Sequence, residues 1–288
     1  MEGPFLAVDW GTTNRRAWRI GADGRTVEAE ECDGRGILSV APGGFAAEAA
    51  AIRERLGDLP MLCAGMAGSN RGWIETPYLP CPLILDAIAD AMTWVEPGRT
   101  AILPGAAMTG DRPDVMRGEE VQLLGALAAG LAPPDALLCQ PGTHCKWAEM
   151  AGGRLAGFVT AMPGELFALL KAHSLLDPQL SGAVAPGPAF LEGVADSGAD
   201  LLSRLFGIRA ASLLDRRGDA DAASYASGLL IGTDVAARGV AGRDVHVLAA
   251  PALGALYGAA ITAFGGRAHA VDSHAAFLAG IIALWRRL

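Results

Sequence analysis

Two short segments of this 288-residue chain combine residue types suited to holding phosphate. The first, Asp9-Trp10-Gly11-Thr12-Thr13-Asn14, follows an apolar run from Pro4 to Val8. Gly11 permits a tight turn and a close backbone approach. Thr12 and Thr13 offer hydroxyls and N–H groups to anionic oxygens, with Asn14 beside them. Asp9, at the carboxyl end of the run, is placed to hold a hydrated Mg²⁺. The second segment, Gln140-Pro141-Gly142-Thr143-His144, repeats the Gly-Thr turn without the acid, and Lys146 follows as a point charge for phosphate. Two such turns describe a nucleotide cleft with the metal on one side and N–H groups and hydroxyls on the other. The plainer alternative is a capping Asp on an ordinary hairpin.

The elements around these turns recur. Pro4–Asp9, Arg15–Ile20 and Thr26–Glu31 read as strands, the last two joined by the turn residues Ala22-Asp23-Gly24-Arg25. Phe45–Leu56 has apolar residues at helical spacing and stops at Gly57. Met61–Cys63 and Thr100–Leu103 read as short buried strands, and Gly118–Leu131 as an amphipathic helix. After Pro133-Pro134 the pattern restarts. A strand at Ala136–Cys139 precedes a hairpin of Cys145–Met150 and Leu155–Thr160. Helices follow over Gly164–His173, Pro188–Phe206 and Asp219–Arg238, then a strand at Val245–Leu248, a helix at Pro251–Phe264 and a last helix at Asp272–Arg286. Val8–Arg15 overlays Cys139–Lys146, with Gly-Thr in the same place. The expectation is a duplicated α/β protein: lobes 1–133 and 134–288, a ligand cleft between them, and a final helix that returns to the first lobe.

Composition narrows the chemistry. Lys plus Arg number 23 against 31 Asp plus Glu, a net charge of −8, which argues against nucleic acid as a partner. Five cysteines without a CxxC spacing read as reduced thiols of a cytoplasmic protein, and Cys145 beside His144 lacks the second ligand pair of a zinc site. Asp9 interrupts the opening apolar run before a signal-peptide core forms. No apolar stretch reaches membrane-spanning length, although 51% of residues are hydrophobic. Glycine, at 38 residues, is abundant enough to supply phosphate turns as well as bends.

The segment AVDWGTTN resembles the first phosphate motif of the sugar-kinase, heat-shock chaperone and actin superfamily, and QPGTH resembles its second. GMAGSNRGWIETPYLPCP (65–82), ILPG (102–105), PDVMRGEE (113–120), PGTHCKW (141–147) and MPGELFALLKAHSLL (162–176) together resemble the 2-dehydro-3-deoxygalactonokinase family over nearly the whole chain. The resemblance implies two ribonuclease H-like lobes. It also implies Mg²⁺-dependent transfer of the ATP γ-phosphoryl to the 6-hydroxyl of 2-dehydro-3-deoxy-D-galactonate, in galactonate breakdown. In the superfamily the general base sits at the start of the helix closing the first half. That points to Glu119, with Glu120 as the close alternative and Asp114 third. A keto-acid substrate calls for an arginine fork, so Arg16, Arg71 and Arg117 form the carboxylate-binding set. Gly68, Ser69 and Asn70 supply further sugar contacts. On the adenosine side, near Gly254, Ala249-Ala250 replaces the superfamily's Gly and small polar residue, which weakens side-chain selection of adenine. Glu165, in a first helical turn, could also face the cleft. The resemblance leaves a homodimer open. A kinase for another sugar acid or ketose, and a phosphoanhydride hydrolase, are the nearest rivals. A chaperone or filament subunit would need subdomains for which this chain has no spare length.

Overall fold

A computed structural model describes residues 3–198, 200–216 and 218–288. Its strands are β1 (Phe5–Trp10), β2 (Arg15–Ile20), β3 (Val27–Asp33), β4 (Met61–Gly65), β5 (Tyr78–Pro80), β6 (Thr93–Glu96) and β7 (Thr100–Ile102). They continue with β8 (Gly105–Met108), β9 (Asp114–Met116), β10 (Ala136–Gln140), β11 (Cys145–Ala151), β12 (Arg154–Ala161), β13 (Asp244–Leu248) and β14 (Arg267–Val271). The helices are α1 (Phe45–Leu56), α2 (Leu85–Asp90), α3 (Glu119–Ala128), α4 (Pro163–His173), α5 (Pro188–Ala195), α6 (Leu201–Leu213), α7 (Asp219–Ala236), α8 (Pro251–Ala263) and α9 (Ser273–Trp285).

The chain divides into two compact units. One comprises Met1–Asp135, Met150–Phe158 and Ser273–Leu288; the other comprises Ala136–Glu149 and Val159–Asp272. The first unit is built on the sheet β3-β2-β1-β4-β7-β6. Its β1 pairs antiparallel with β2 and parallel with β4, and β4 pairs parallel with β7. The second is built on β12-β11-β10-β13-β14, with β10, β13 and β14 parallel. Both sheets thus run third, second, first, fourth, fifth strand, the order of a ribonuclease H-like half, with the edge strand β6 added to the first.

In each sheet the first strand is central and apolar. Phe5, Leu6, Ala7 and Val8 of β1 are fully buried, as are Leu138 and Cys139 of β10. A strand covered on both faces reads as a continuous apolar run, and its carboxyl end is where a chain must turn out. Asp9-Trp10 and Gln140 stand at those two ends.

Two features depart from the periodicity. The helix expected over Pro188–Phe206 is two, α5 and α6, because Asp196–Gly198 leaves the helical path and the chain re-enters through Asp200 at φ +62°. The first unit also holds a small sheet, β5-β8-β9, of three- and four-residue strands among prolines and glycines that carry no period. Among the described residues no helix is long and apolar enough to cross a membrane.

Candidate active site

In the first unit the Gly11–Asn14 turn is fastened from behind. The N–H groups of Gly36, Ile37 and Leu38 donate to the carbonyls of Thr13, Gly11 and Thr12, and Gly11 N–H donates to Asn14 O. A Cβ at Gly36 would lie 2.4 Å from Thr12 O, so only glycine lets this segment, which leads into the 3-10 turn Ile37–Ser39, back the loop so closely. With the carbonyls tied back, the side chains of Thr12, Thr13 and Asn14 are exposed. Beneath them the Trp10 indole donates to Arg35 O. The buried Arg15 guanidinium donates to Asp33 and Glu48 and lies over the Trp10 ring.

Asp9 sits beside this turn, paired in register with Arg16 on one strand and Ala64 on the other. Burial pushes its carboxyl up to about 6; Arg16 pulls the other way and the Glu119 carboxylate adds to the rise. Glu119 therefore lies within electrostatic reach of Asp9. Two glycines at positive φ bring it there. Gly65 (φ +85°) ends β4 against Asp9, and Gly118 (φ +104°) stands before α3. A Cβ on Gly118 would be 3.0 Å from the Gly65 Cα, and one on Gly65 would be 3.3 Å from Asp9 Oδ1.

The two glutamates at the start of α3 are placed differently. Glu120 is fully buried and both its oxygens accept the Gly118 N–H, at 2.9 and 2.8 Å. Burial, reinforced by Glu119, pushes its carboxyl up to about 8. Glu119 stays partly exposed and accepts the Arg117 N–H at 3.0 Å. A carboxyl without solvent contact cannot meet a substrate hydroxyl, so of the pair only Glu119 is open to one. Asp114 lies on β9, where its carboxylate accepts the N–H of Val115.

The expected carboxylate-binding set separates. Arg117 is withdrawn from it: the side chain is buried, its terminal nitrogens donate to the Thr76 hydroxyl and carbonyl, and the guanidinium lies 4.2 Å from the Tyr78 ring centroid. It fastens the 65–78 loop. Gly68 belongs to the same joint, since a Cβ there would meet Thr76 Oγ1 at 2.5 Å and the Arg117 guanidinium at 2.8 Å. The buried Ser69 hydroxyl donates to Met66 O and accepts the Arg71 N–H, making a local turn. Asn70 and Arg71, at the tip, are exposed. Arg16 is partly exposed and bonds to His274 at the start of α9, a neighbour 258 positions away that no local spacing could reveal.

In the second unit the Gly142–His144 turn rests on the start of α4. A Cβ on Gly164 would be 2.5 Å from Gly142 O, and the Glu165 N–H donates to Thr143 O. His144 Nε2 lies 2.6 Å from Glu165 Oε2, an exposed pair at the turn's edge. Lys146 faces inward rather than toward solvent; it is buried and its Nζ donates to Thr160 Oγ1 at 2.9 Å. Next to Gly142 lies an apolar cavity of about 180 Å³ walled by Phe167, Leu230, Ile231, Leu253, Leu256 and Tyr257. Its floor is fixed by Asp234, which accepts from the Trp147 indole and the Tyr257 hydroxyl. Gly254 lies in the first turns of α8 with room for a Cβ, so what its position requires is not the absence of a side chain. Sequence alone had pointed to Gly254 but not to this cavity, whose walls come from α4, α7 and α8.

The comparisons with known proteins agree with one another. The family model for 2-keto-3-deoxy-galactonokinase matches residues 9–284. The Rhizobium meliloti (strain 1021) protein named DgoK1 is 39% identical over 99% of this chain and 98% of its own. The 2-dehydro-3-deoxygalactonokinase of Escherichia coli K12 is 35% identical over 98% of this chain and 97% of its own. A crystal structure from Sinorhizobium meliloti, titled for the same kinase, superposes with a TM-score of 0.91 at 38% identity, covering 98% of each chain. The chain belongs to the 2-keto-3-deoxy-galactonokinase family.

Proposed function

We propose that the protein transfers the γ-phosphoryl group of ATP to the 6-hydroxyl of 2-dehydro-3-deoxy-D-galactonate, in the cytoplasm, as a step of galactonate catabolism. The observation that carries the chemistry is the gathering of two acids, Asp9 and Glu119, beside an exposed Gly-Thr-Thr turn, where burial first and Glu119 second raise the proton affinity of Asp9 against the pull of Arg16. Two acids placed together in this way suit a site that receives a cation and a hydroxyl proton.

Glu119 takes the proton of the attacking hydroxyl as the new O–P bond forms, and the bond to the ADP oxygen breaks with ADP leaving. The Thr12 and Thr13 side chains and the Gly142–His144 turn hold phosphate oxygens, and the apolar cavity beside Gly142 takes the nucleobase. Arg71 and Arg16 hold the substrate carboxylate, with Asn70 on the sugar chain. Among the described residues no cluster of three or more acid, His or Cys ligands is set to cage a metal. Mg²⁺ needs no such cage, since it keeps its waters and enters with nucleotide phosphates on one or two carboxylates. Asp9 fits that part, and the ion when bound neutralises charge developing on the phosphates.

The test is a panel of 2-keto-3-deoxy sugar acids, neutral hexoses and a no-sugar control, each with ATP and Mg²⁺, scored for ADP release and phosphosugar mass. Turnover confined to the galactonate-derived acid supports the assignment. Activity on neutral hexoses alone, or ADP release without sugar, overturns it. Asp9→Ala should abolish Mg²⁺-ATP turnover in the same assay.

A further inference from the structure

The face of the first sheet that carries Asp9 is covered by α9. Side chains two apart on a strand share a face, and so do cross-strand partners. Phe5, Ala7 and Asp9 of β1 therefore stand with Ile20, Trp18 and Arg16 of β2. Phe5 stacks on Trp285, the last residue of α9, with ring centroids 4.6 Å apart. Trp18 packs against Phe277 at 5.2 Å and meets His274 edge-on at 6.4 Å. The helix thus runs back along β1 and begins at the end of the strand where Asp9 and Arg16 are paired. All of these residues belong to the first unit.

Asp9 and Arg16 are opposite charges in direct register, and Arg16 acts electrostatically on Asp9, yet the two close no ion pair. The Arg16 guanidinium is bonded instead, through Nη1, to Nε2 of His274, the second residue of α9. A guanidinium only donates, so this imidazole nitrogen accepts and the ring proton is on Nδ1. Among the described residues His274 is the hydrogen-bond partner of Arg16. Nη1 is the nitrogen remote from the side-on fork. The contact therefore leaves Nε and Nη2, whose N–H bonds run parallel and match a carboxylate, free of it.

We propose that His274 is a positioning residue for the keto-acid substrate, holding Arg16 by Nη1 so that its Nε–Nη2 fork meets the substrate carboxylate beside Asp9. The proposal rests on the reading of Arg16 as a carboxylate ligand given above. A long flexible side chain next to a carboxylate of its own chain has an obvious alternative, which is to fold onto it. An Arg16 closed on Asp9 would spend its fork there and neutralise the acid that suits a cation. The bond from α9 holds the two apart, and the Trp18 ring holds the imidazole that makes it. Substrate then meets an arginine already ordered, and binding does not bear the cost of ordering it.

Steady-state kinetics with the galactonate-derived keto acid and ATP read the arrangement in Arg16→Ala, His274→Ala, His274→Gln and the double alanine variant. Arg16→Ala should raise KM for the keto acid about tenfold or more. His274→Ala should raise it about three- to tenfold, with KM for ATP and the thermal midpoint unchanged and kcat within about threefold. His274→Gln, whose amide oxygen accepts at a reach similar to Nε2, should return KM to within about twofold of wild type. On the Arg16→Ala background His274→Ala should add nothing, since its contact is already gone. A normal keto-acid KM in Arg16→Ala overturns the carboxylate reading of Arg16 and the proposal with it. A raised KM there beside a normal one in His274→Ala leaves that reading standing and overturns the proposal alone. So does a His274→Gln variant no better than His274→Ala. An effect of His274→Ala that persists undiminished without Arg16 overturns it too, because the ring would then serve α9 or Trp18 instead.

Discussion

Gly125 of α3 and Gly280 of α9 cross with no space for a side chain on either. A Cβ on Gly125 would lie 2.6 Å from the Gly280 nitrogen and 2.0 Å from Ala276 O, and one on Gly280 would lie 2.1 Å from Val121 O. The obstacles are backbone, which cannot rotate away. Gly125→Ala and Gly280→Ala should therefore each destabilise the protein by about 1–3 kcal/mol despite alanine's better helix propensity. Because Glu119 is the first residue of α3, a helix pushed off α9 misplaces it. A displacement of about 1 Å can cost roughly 100-fold in rate, so kcat should fall further than the loss of folded protein explains. Chemical denaturation paired with active-site-normalised kcat measures both effects; full stability and full activity in either variant would contradict the crossing.

The Glu119 side chain alone of the α3 pair is open to substrate. Glu119→Gln keeps the shape and the acceptor for the Arg117 N–H but no longer takes a proton. Its kcat should drop by about 10²–10⁴-fold, with KM for both substrates changed only slightly. A Glu119→Gln enzyme with near-normal kcat would remove the residue from the base role.

Glu120 should behave oppositely. Its folded carboxyl titrates near 8, above the ordinary value of 4.5, because burial penalises the charge. A group raised in the fold stabilises fully below the unfolded value, and that contribution is lost as pH rises toward 8. Glu120→Gln keeps an oxygen for the Gly118 N–H and cannot ionise. Urea unfolding of wild type and variant should therefore diverge between about pH 4.5 and 8, by a few kcal/mol in favour of the variant at the upper end. Its kcat should stay within a few-fold of wild type. Parallel stability curves across that window would mean that Glu120 does not carry this charge penalty.

The contrast between these neighbours marks where sequence stops informing. Both are acids in the first turn of a helix, and composition treats them alike. What separates them is Gly118, whose φ of +104° turns its N–H onto Glu120 and leaves the next carboxylate outward. Regular elements were legible because their periods are local: β2 and α1 fall on the residues that alternation and helical spacing indicate. The same reasoning missed β5, β8 and β9, which are too short for a period and are set by pairing with one another. It merged α5 with α6, since a glycine inside a helical pattern signals a break only when tertiary packing enforces one. Arg117 looked like a substrate ligand because its partners, Thr76 and Tyr78, lie some forty residues earlier.

Arg71 and Arg117 accordingly separate binding from architecture. Arg71 is exposed at the loop tip, held by the Ser69 turn. Arg71→Ala should raise KM for the keto acid tenfold or more, with an unchanged thermal midpoint, as loss of a charge-assisted pair does. Arg117→Ala takes the guanidinium donor from the Thr76 carbonyl, leaves the Thr76 hydroxyl only its bonds to Gly68 O and Leu103 O, and empties the space over Tyr78, so it should cost about 2–4 kcal/mol of stability. Thermal melts and substrate saturation curves on the two variants decide it, and a stability loss in Arg71→Ala with normal KM would reverse the assignment.

His144 and Glu165 offer a test of whether the second turn is one working unit. The ring nitrogen and the carboxylate lie 2.6 Å apart at the edge of the Gly142–His144 turn, and the Glu165 N–H already holds the Thr143 carbonyl. Both side chains are exposed enough that water screens the pair, so its worth to folding is about 0.2–1 kcal/mol at most. If the turn holds phosphate as proposed, its consequence should appear in nucleotide binding, because Glu165 holds the orientation of the His144 imidazole. His144→Ala and Glu165→Ala should each raise KM for ATP, and the double variant should be little worse than either single one. Such non-additivity is what residues acting through one contact produce. Independent effects that multiply in the double variant, or a KM for ATP unaffected by His144→Ala, would show that the contact does not serve the phosphates.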